Sequence, residues 1–171
     1  MPRPFRLAVG LLALWPATAL SAAPPDFTGS WSIDDAASQP MDPVFEIQGL
    51  SWIQRKAAAG FDSTAEITQE PDRLIVRFDN ILGKHRQELF FDGAPHATVN
   101  PAGIATTFTS KWSDDGVALL AAGTFQLDDG VSCTLSERRT LSADKSHMSV
   151  LVEIKRSDGQ SASARSSYKR D

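Results

Sequence analysis

The 171-residue sequence predicts an all-β domain: an up-and-down antiparallel β-barrel of about ten strands with a short helix–turn–helix lid after the first strand. Three observations predict it. Apolar and polar residues alternate with a period of two over most of the chain, helical spacing appears in one stretch only, and short Gly- or Asp-containing turns separate the alternating runs. Short sequential connections favour neighbouring antiparallel strands. A meander of this length exposes two edges unless it closes on itself, so a barrel is the simplest solution and a two-sheet sandwich the competing one.

The N-terminus reads as a signal peptide over 1–22. Arg3 and Arg6 precede an apolar run from Leu7 to Leu20, and small residues (Ala17, Ala19, Ser21, Ala22, Ala23) crowd its end. The run is too short to span a bilayer, which needs about 20 apolar residues, and Pro16 interrupts it. No later segment is long and apolar enough for a spanning helix. The expected location is periplasmic or secreted, and 23–171 forms one domain of about 150 residues, enough for its own core.

Phe27, Gly29, Trp31 and Ile33 alternate on one face of a first strand that Asp34-Asp35 end. Met41 to Ala59 is helical: Pro43 suits a first turn, Asp42 is placed to cap it, Gly49 divides the stretch into two short helices, and Gly60 stops it. Strands follow at Thr64–Gln69, around Leu74, Val76 and Phe78, and at Lys84–Phe91, where Asp92-Gly93 signals a hairpin into His96–Asn100. After Pro101-Ala102-Gly103, the residues Ile104, Thr106, Phe108, Ser110 and Trp112 share a face. Turns at Asp114-Asp115-Gly116 and Asp128-Asp129-Gly130 bound Val117–Leu127 and Val131–Leu141. Met148, Val150, Val152 and Ile154 make the most strongly alternating strand, and Asp158-Gly159 turns into the last, Ala162–Tyr168. The polar run Ser161–Ser167 suits a solvent-lined edge or the wall of a wet cavity.

Charge and composition exclude several function classes. Removing the leader takes Arg3 and Arg6 and no acid, so the formal charge goes from −4 to −6. An acidic chain with dispersed bases is a poor match for nucleic acid or an anionic membrane. The basic pairs Arg55-Lys56, Arg138-Arg139, Lys155-Arg156 and Lys169-Arg170 read as solvated surface. Cys133 is the only cysteine; it alternates with Val131 and Leu135 and reads as a small buried residue. His85, His96 and His147 lack metal-ligand spacing and read as surface residues, and the paired aspartates sit where turn chemistry explains them. No nucleophile elbow, phosphate loop or Cys–His pair is visible, so neither an enzyme nor a cofactor or metal protein is expected. Glu137 and Arg139 share parity with Val131, Cys133, Leu135 and Leu141. A buried charge needs a partner, so Arg139 pairs with an acid or meets a ligand's anionic group, unless the strand end carries both charges into water. Strict alternation points Arg138 outward, and a single bulge would exchange the two.

Phe27-Thr28-Gly29-Ser30-Trp31, followed by Gln48-Gly49-Leu50-Ser51-Trp52-Ile53-Gln54-Arg55-Lys56-Ala57, resembles the opening of the fatty-acid-binding and retinoid-binding proteins of the calycin superfamily. It is also similar to a group of uncharacterised bacterial and fungal lipocalin-like proteins that share Q-G-x-x-W-x-x-R-K. The resemblance implies a ten-strand barrel with a two-helix lid over a ligand cavity. It further implies that an arginine on a late strand and an Arg-x-Tyr pair on the last strand hold a carboxylate. Arg138 or Arg139 falls where the first would be. Arg165-Ser166-Ser167-Tyr168 is one residue too long for the second, and alternation turns Tyr168 inward and Arg165 outward. The expected function is therefore non-covalent carriage of a small apolar or amphipathic, fatty-acid-like ligand by a monomer. Arg139, Arg138, Tyr168, Trp52, Phe108 and Trp112 are the candidate ligand contacts, and small inward positions (Thr106, Ser110, Ala162, Ala164) would leave room. The alternatives are an envelope interaction module with a filled barrel and an enzyme built on the same barrel.

Overall fold

The computed structural model describes residues 23–59, 64–80, 83–99, 105–127 and 129–171. The predicted leader, the stop at Gly60, the turn tip 81–82, the segment 100–104 with Ile104, and Asp128 lie outside the described residues. The elements are β1 (Gly29–Ile33), α1 (Asp42–Ile47), α2 (Trp52–Ala59), β2 (Thr64–Gln69), β3 (Arg73–Asn80), β4 (Gly83–Phe90), β5 (His96–Val99), β6 (Ala105–Trp112), β7 (Ala118–Gln126), β8 (Ser132–Leu141), β9 (His147–Arg156) and β10 (Ser161–Arg170).

The ten strands form one antiparallel sheet in the order β4-β3-β2-β1-β10-β9-β8-β7-β6-β5. The first strand pairs with the last, Trp31 opposite Arg170 and Ile33 opposite Tyr168, which curls the meander into a nearly closed barrel. Among the described residues, only β4 and β5, the two ends of the sheet, are not paired with each other. The hairpin expected at Asp92-Gly93 does not form: Asp92 Oδ1 accepts the Ala94 N–H at 2.9 Å, and the turn carries the chain into β5, which pairs with β6. The opening is bridged instead. Ser110 Oγ donates to the Phe90 carbonyl at 2.6 Å, and the Gly93 N–H donates to the Ser110 carbonyl at 3.0 Å. Ser110 is thus a structural tie rather than free cavity wall.

Four turn aspartates of the second half share one chemistry. Asp115, Asp129, Asp144 and Asp158 each accept, through Oδ1, the backbone N–H two residues on, at 3.0–3.2 Å. The carboxylate completes the turn where the ladder leaves a donor unpaired.

Period-two alternation sets the core. Met148, Val150, Val152 and Ile154 of β9 are buried, flanked in register by Leu141, Arg139, Glu137 and Leu135 of β8 and by Tyr168, Ser166, Ala164 and Ala162 of β10. Ile75 departs from the pattern; it is outward by parity yet buried, between Thr68 and Glu88 of the neighbouring strands. One barrel end is plugged by aromatics: Trp112 stacks on Phe27 (centroids 6.0 Å apart) and tilts against Phe91 (5.2 Å). At the other end α1 buries Val44 and Ile47 against β9 and β10, and α2 packs on α1. The cap position of α1 falls on Met41. Asp42 instead accepts from Arg55 Nε of α2 at 3.2 Å, joining the two helices across Gly49, whose φ is +80°.

β10 is a central strand, not an edge. Where β1 diverges from it, the segment after β1 takes over: the Gln39 N–H donates to the Arg165 carbonyl (2.8 Å), Gln39 Oε1 accepts the Arg165 N–H (2.9 Å), and Ser38 Oγ accepts the Ser167 N–H (2.9 Å). Of the serines of this polar strand, Ser166 is buried on the inward face, Ser167 is held by the covering segment, and Ser161 and Ser163 are exposed.

Candidate ligand site in the barrel interior

Strand alternation fixes which side chains line the interior. β8 runs from the helix-covered end toward the aromatic plug and sends Cys133, Leu135, Glu137, Arg139 and Leu141 inward in that order. The wall is thus apolar near the helices and polar deeper down. Glu137 and Arg139 are inward: Arg139 Nη2 donates to Glu137 Oε2 at 2.8 Å, with side chains only 12% and 5% exposed. The same Nη2 reaches Gln87 Oε1 of β4 at 3.4 Å, across the barrel from β8. Arg139 lies in one row with Val150 and Ser166, and Tyr168 lies one row nearer the plug, opposite Met148.

Arg139 therefore has an acid partner, the first of the possibilities open from sequence, and Arg138 is exposed on the outer face. Tyr168 points inward and Arg165 outward, as alternation requires. Burial pushes the Tyr168 phenol up from its ordinary range; the Glu137 charge adds to this, while Arg139 and a hydrogen bond with Ser166 oppose it. Tyr168, Leu135 and Ala162 point inward and, though only partly buried, pack against the core.

Two buried polar atoms of the described interior have no partner: Arg139 Nε and His85 Nε2. His85 stands opposite Phe78 on the inward face of β4, not on the surface. Sequence reading missed it because β4 (Gly83–Phe90) carries too few apolar residues to show which parity faces the core. His147 is exposed, and His96 stacks on Phe90 with Nε2 3.1 Å from the Asp92 carboxylate.

The other candidate contacts separate. Phe108 is buried flat against Gly123 of β7, where an added Cβ would lie 2.9 Å from the ring, and Trp112 belongs to the plug. Trp52 is 62% exposed on α2 and is not brought to the interior. Cys133 is buried, as expected, and burial pushes its thiol up. Among the described residues no group of three or more His, Cys, Asp or Glu could hold a metal ion, and no helix is long and apolar enough to cross a membrane.

The plugged end holds a further arrangement that sequence reading did not find. The Arg170 guanidinium lies 4.3 Å above the ring of the fully buried Trp31. Its Nη1 donates to the Thr28 carbonyl (2.5 Å) and its Nε to the Lys145 carbonyl (3.1 Å). Gly29 has φ +144°, and a Cβ there would lie 2.8 Å from Arg170 Nη1. The glycine two residues before Trp31 thus makes room for a guanidinium.

Solved structures share this architecture. The REP1-NXSQ fatty acid transporter aligns at TM-score 0.68 and 16% identity, covering 84% of this chain and 95% of its own. Fatty-acid-binding protein 1 of Echinococcus granulosus aligns at 0.66 and 14%, covering 84% and 96%. A Schistosoma mansoni fatty acid binding protein in complex with arachidonic acid aligns at 0.64 and 18%, covering 85% and 96%. The fold is that of the fatty-acid-binding proteins. At these identities the likeness extends to the fold, the ten-strand barrel and its helix pair, and no further; neither a family model nor a curated protein sequence matches the chain. On β10 the position two residues before Tyr168 on the same inward face is Ser166, so the last strand offers a hydroxyl rather than a guanidinium beside the tyrosine.

Proposed function

We propose that this protein is an exported carrier that holds a small apolar or amphipathic, long-chain ligand inside the barrel, with its polar end deep and its apolar chain toward the helices. The observation that supports this reading is the inward Arg139, 4% exposed, with Nε left without an acceptor at the polar end of an otherwise apolar wall. A barrel filled for structure alone gains nothing from a buried arginine with a spare donor, because an unsatisfied buried donor costs about 1–3 kcal/mol. A bound polar group supplies the missing acceptor, and the apolar rows above it take the chain. The named neighbours are a fatty acid transporter and fatty acid binding proteins, which fits carriage rather than catalysis. The apolar leader and its small-residue end support export, and the nearly closed barrel suits a monomer.

Purification from the producing cell's exported fraction, followed by organic extraction and mass spectrometry, tests the reading, and the mature N-terminal mass tests leader removal. The expected result is a co-purifying long-chain molecule and a chain beginning between Ala19 and Pro24. If no ligand co-purifies and no long-chain probe shifts tryptophan emission, the protein is a filled-barrel interaction module.

A further inference from the structure

Among the described residues, the charge on the inward face is balanced before any ligand arrives. Glu137 and Arg139 sit two residues apart on the inward face of β8, joined at 2.8 Å, and both are withdrawn from bulk solvent. Gln87, Ser166 and Tyr168 complete the polar floor, and each is neutral. A carboxylate approaching Arg139 must lie against the Glu137 carboxylate or displace it. The first places two like charges in contact away from water; the second leaves a buried acid unpaired. A hydroxyl or carbonyl oxygen meets neither obstacle. It accepts from Arg139 Nε, the donor left over, and an alcohol O–H can donate a hydrogen bond to a remaining lone pair of Glu137 or to Tyr168 Oη. His85 Nε2 is a second unsatisfied buried atom on the inward face of β4. A hydroxyl, both donor and acceptor, pairs with this nitrogen whether or not it carries a proton.

We propose that the polar end of the ligand is uncharged, a long-chain alcohol or ester, and that Glu137 is the residue that disfavours a free fatty acid. This rests on the carrier reading above and names the class of head group.

The test is direct titration of the mature protein at pH 8 with cis-9-octadecenol and with oleate, followed by tryptophan emission and calorimetry. The expected result is that the alcohol binds at least about tenfold more tightly than the carboxylate. Glu137→Gln removes the negative charge but keeps an acceptor for Arg139. In that variant oleate affinity rises about tenfold and the preference collapses, while the alcohol changes less than about threefold. Oleate binding as tightly as the alcohol to the unmodified protein overturns the proposal and leaves the carrier reading standing. Failure of both probes to bind overturns both. If Glu137→Gln does not fold, the affinity ratio of the unmodified protein decides alone.

Discussion

At the scale of single residues, the basic pairs show how much a structure adds to composition. Each looked like solvated surface, yet one arginine of each pair is fixed. Arg55 holds Asp42, Arg139 holds Glu137, Arg156 bridges Asp129 and Asp158 at 3.1 and 3.0 Å, and Arg170 covers Trp31. Arg170 illustrates why the sequence hides this. Its carbonyl acceptor Thr28 lies 142 residues away, and the local Lys169-Arg170 pair reads as solvated surface. Only closure of the barrel by β1–β10 pairing brings the two ends together. Two predictions belong here. Arg170→Ala removes a cation–π contact and the hydrogen bonds to carbonyls, so it lowers stability by about 1–2 kcal/mol and changes Trp31 emission. Gly29→Ala costs more, about 2 kcal/mol or above, because it combines an unfavourable positive φ with a clash against the guanidinium. Chemical denaturation measures both. If Gly29→Ala proves neutral, the close guanidinium approach is not what requires glycine.

At the scale of elements, legibility tracked the strength of the alternation. β9 was plain because every second residue is large and apolar, and the helix pair was plain because Pro43 and Gly49 punctuate it. Parity also turned Tyr168 inward and Arg165 outward, and it favoured Glu137 and Arg139 as inward while a bulge or a solvated strand end stayed open. β4 and the passage into β5 were not legible. Gln87 and His85 face inward without an apolar pattern to say so, and Asp92-Gly93 has hairpin residues but serves an opening that Ser110 bridges. Trp52, a candidate ligand contact in the sequence, and its neighbour Ile53 are 62% and 73% exposed, because α2 rests on α1 rather than on a strand. The lid's attachment therefore depends on Arg55, which also reaches Glu46 at 3.7 Å. Arg55→Ala is expected to lower overall stability by no more than about 1 kcal/mol, because such ion pairs are partly screened. Local opening should increase far more. Hydrogen exchange of residues 51–56 should accelerate while β8–β10 stay protected, and a bound long-chain probe should dissociate faster. Unchanged exchange in α2 would show that the ion pair does not hold the lid.

At the scale of the whole molecule, the turn aspartates and the buried interior acids set opposite limits on stability with pH. Asp26, Asp92, Asp115, Asp144 and Asp158 accept backbone N–H groups, and Asp171 accepts the Ser30 and Ser32 hydroxyls, so each carboxyl titrates below its ordinary range. The unfolded chain binds protons at these groups first as pH falls. Their stabilisation is complete above about pH 5 and is lost progressively as pH drops below about 4 toward the lowered folded values. Tyr168 and Cys133 have the opposite sense. Burial raises both, so the unfolded chain loses these protons first as pH rises. Their contribution is complete below about pH 8 and declines as pH climbs beyond the unfolded thiol and phenol ranges. Thermal midpoints measured against pH should therefore form a plateau from about pH 5 to 8 with a fall on each side. Asp144→Asn should soften the acid fall while lowering the plateau slightly, since the turn keeps a weaker acceptor. Tyr168→Phe should soften the alkaline fall, and because Phe keeps the ring but not the hydroxyl, the same variant reports on the site: loss of alcohol affinity with the midpoint held would place the phenol on the ligand rather than in the packing.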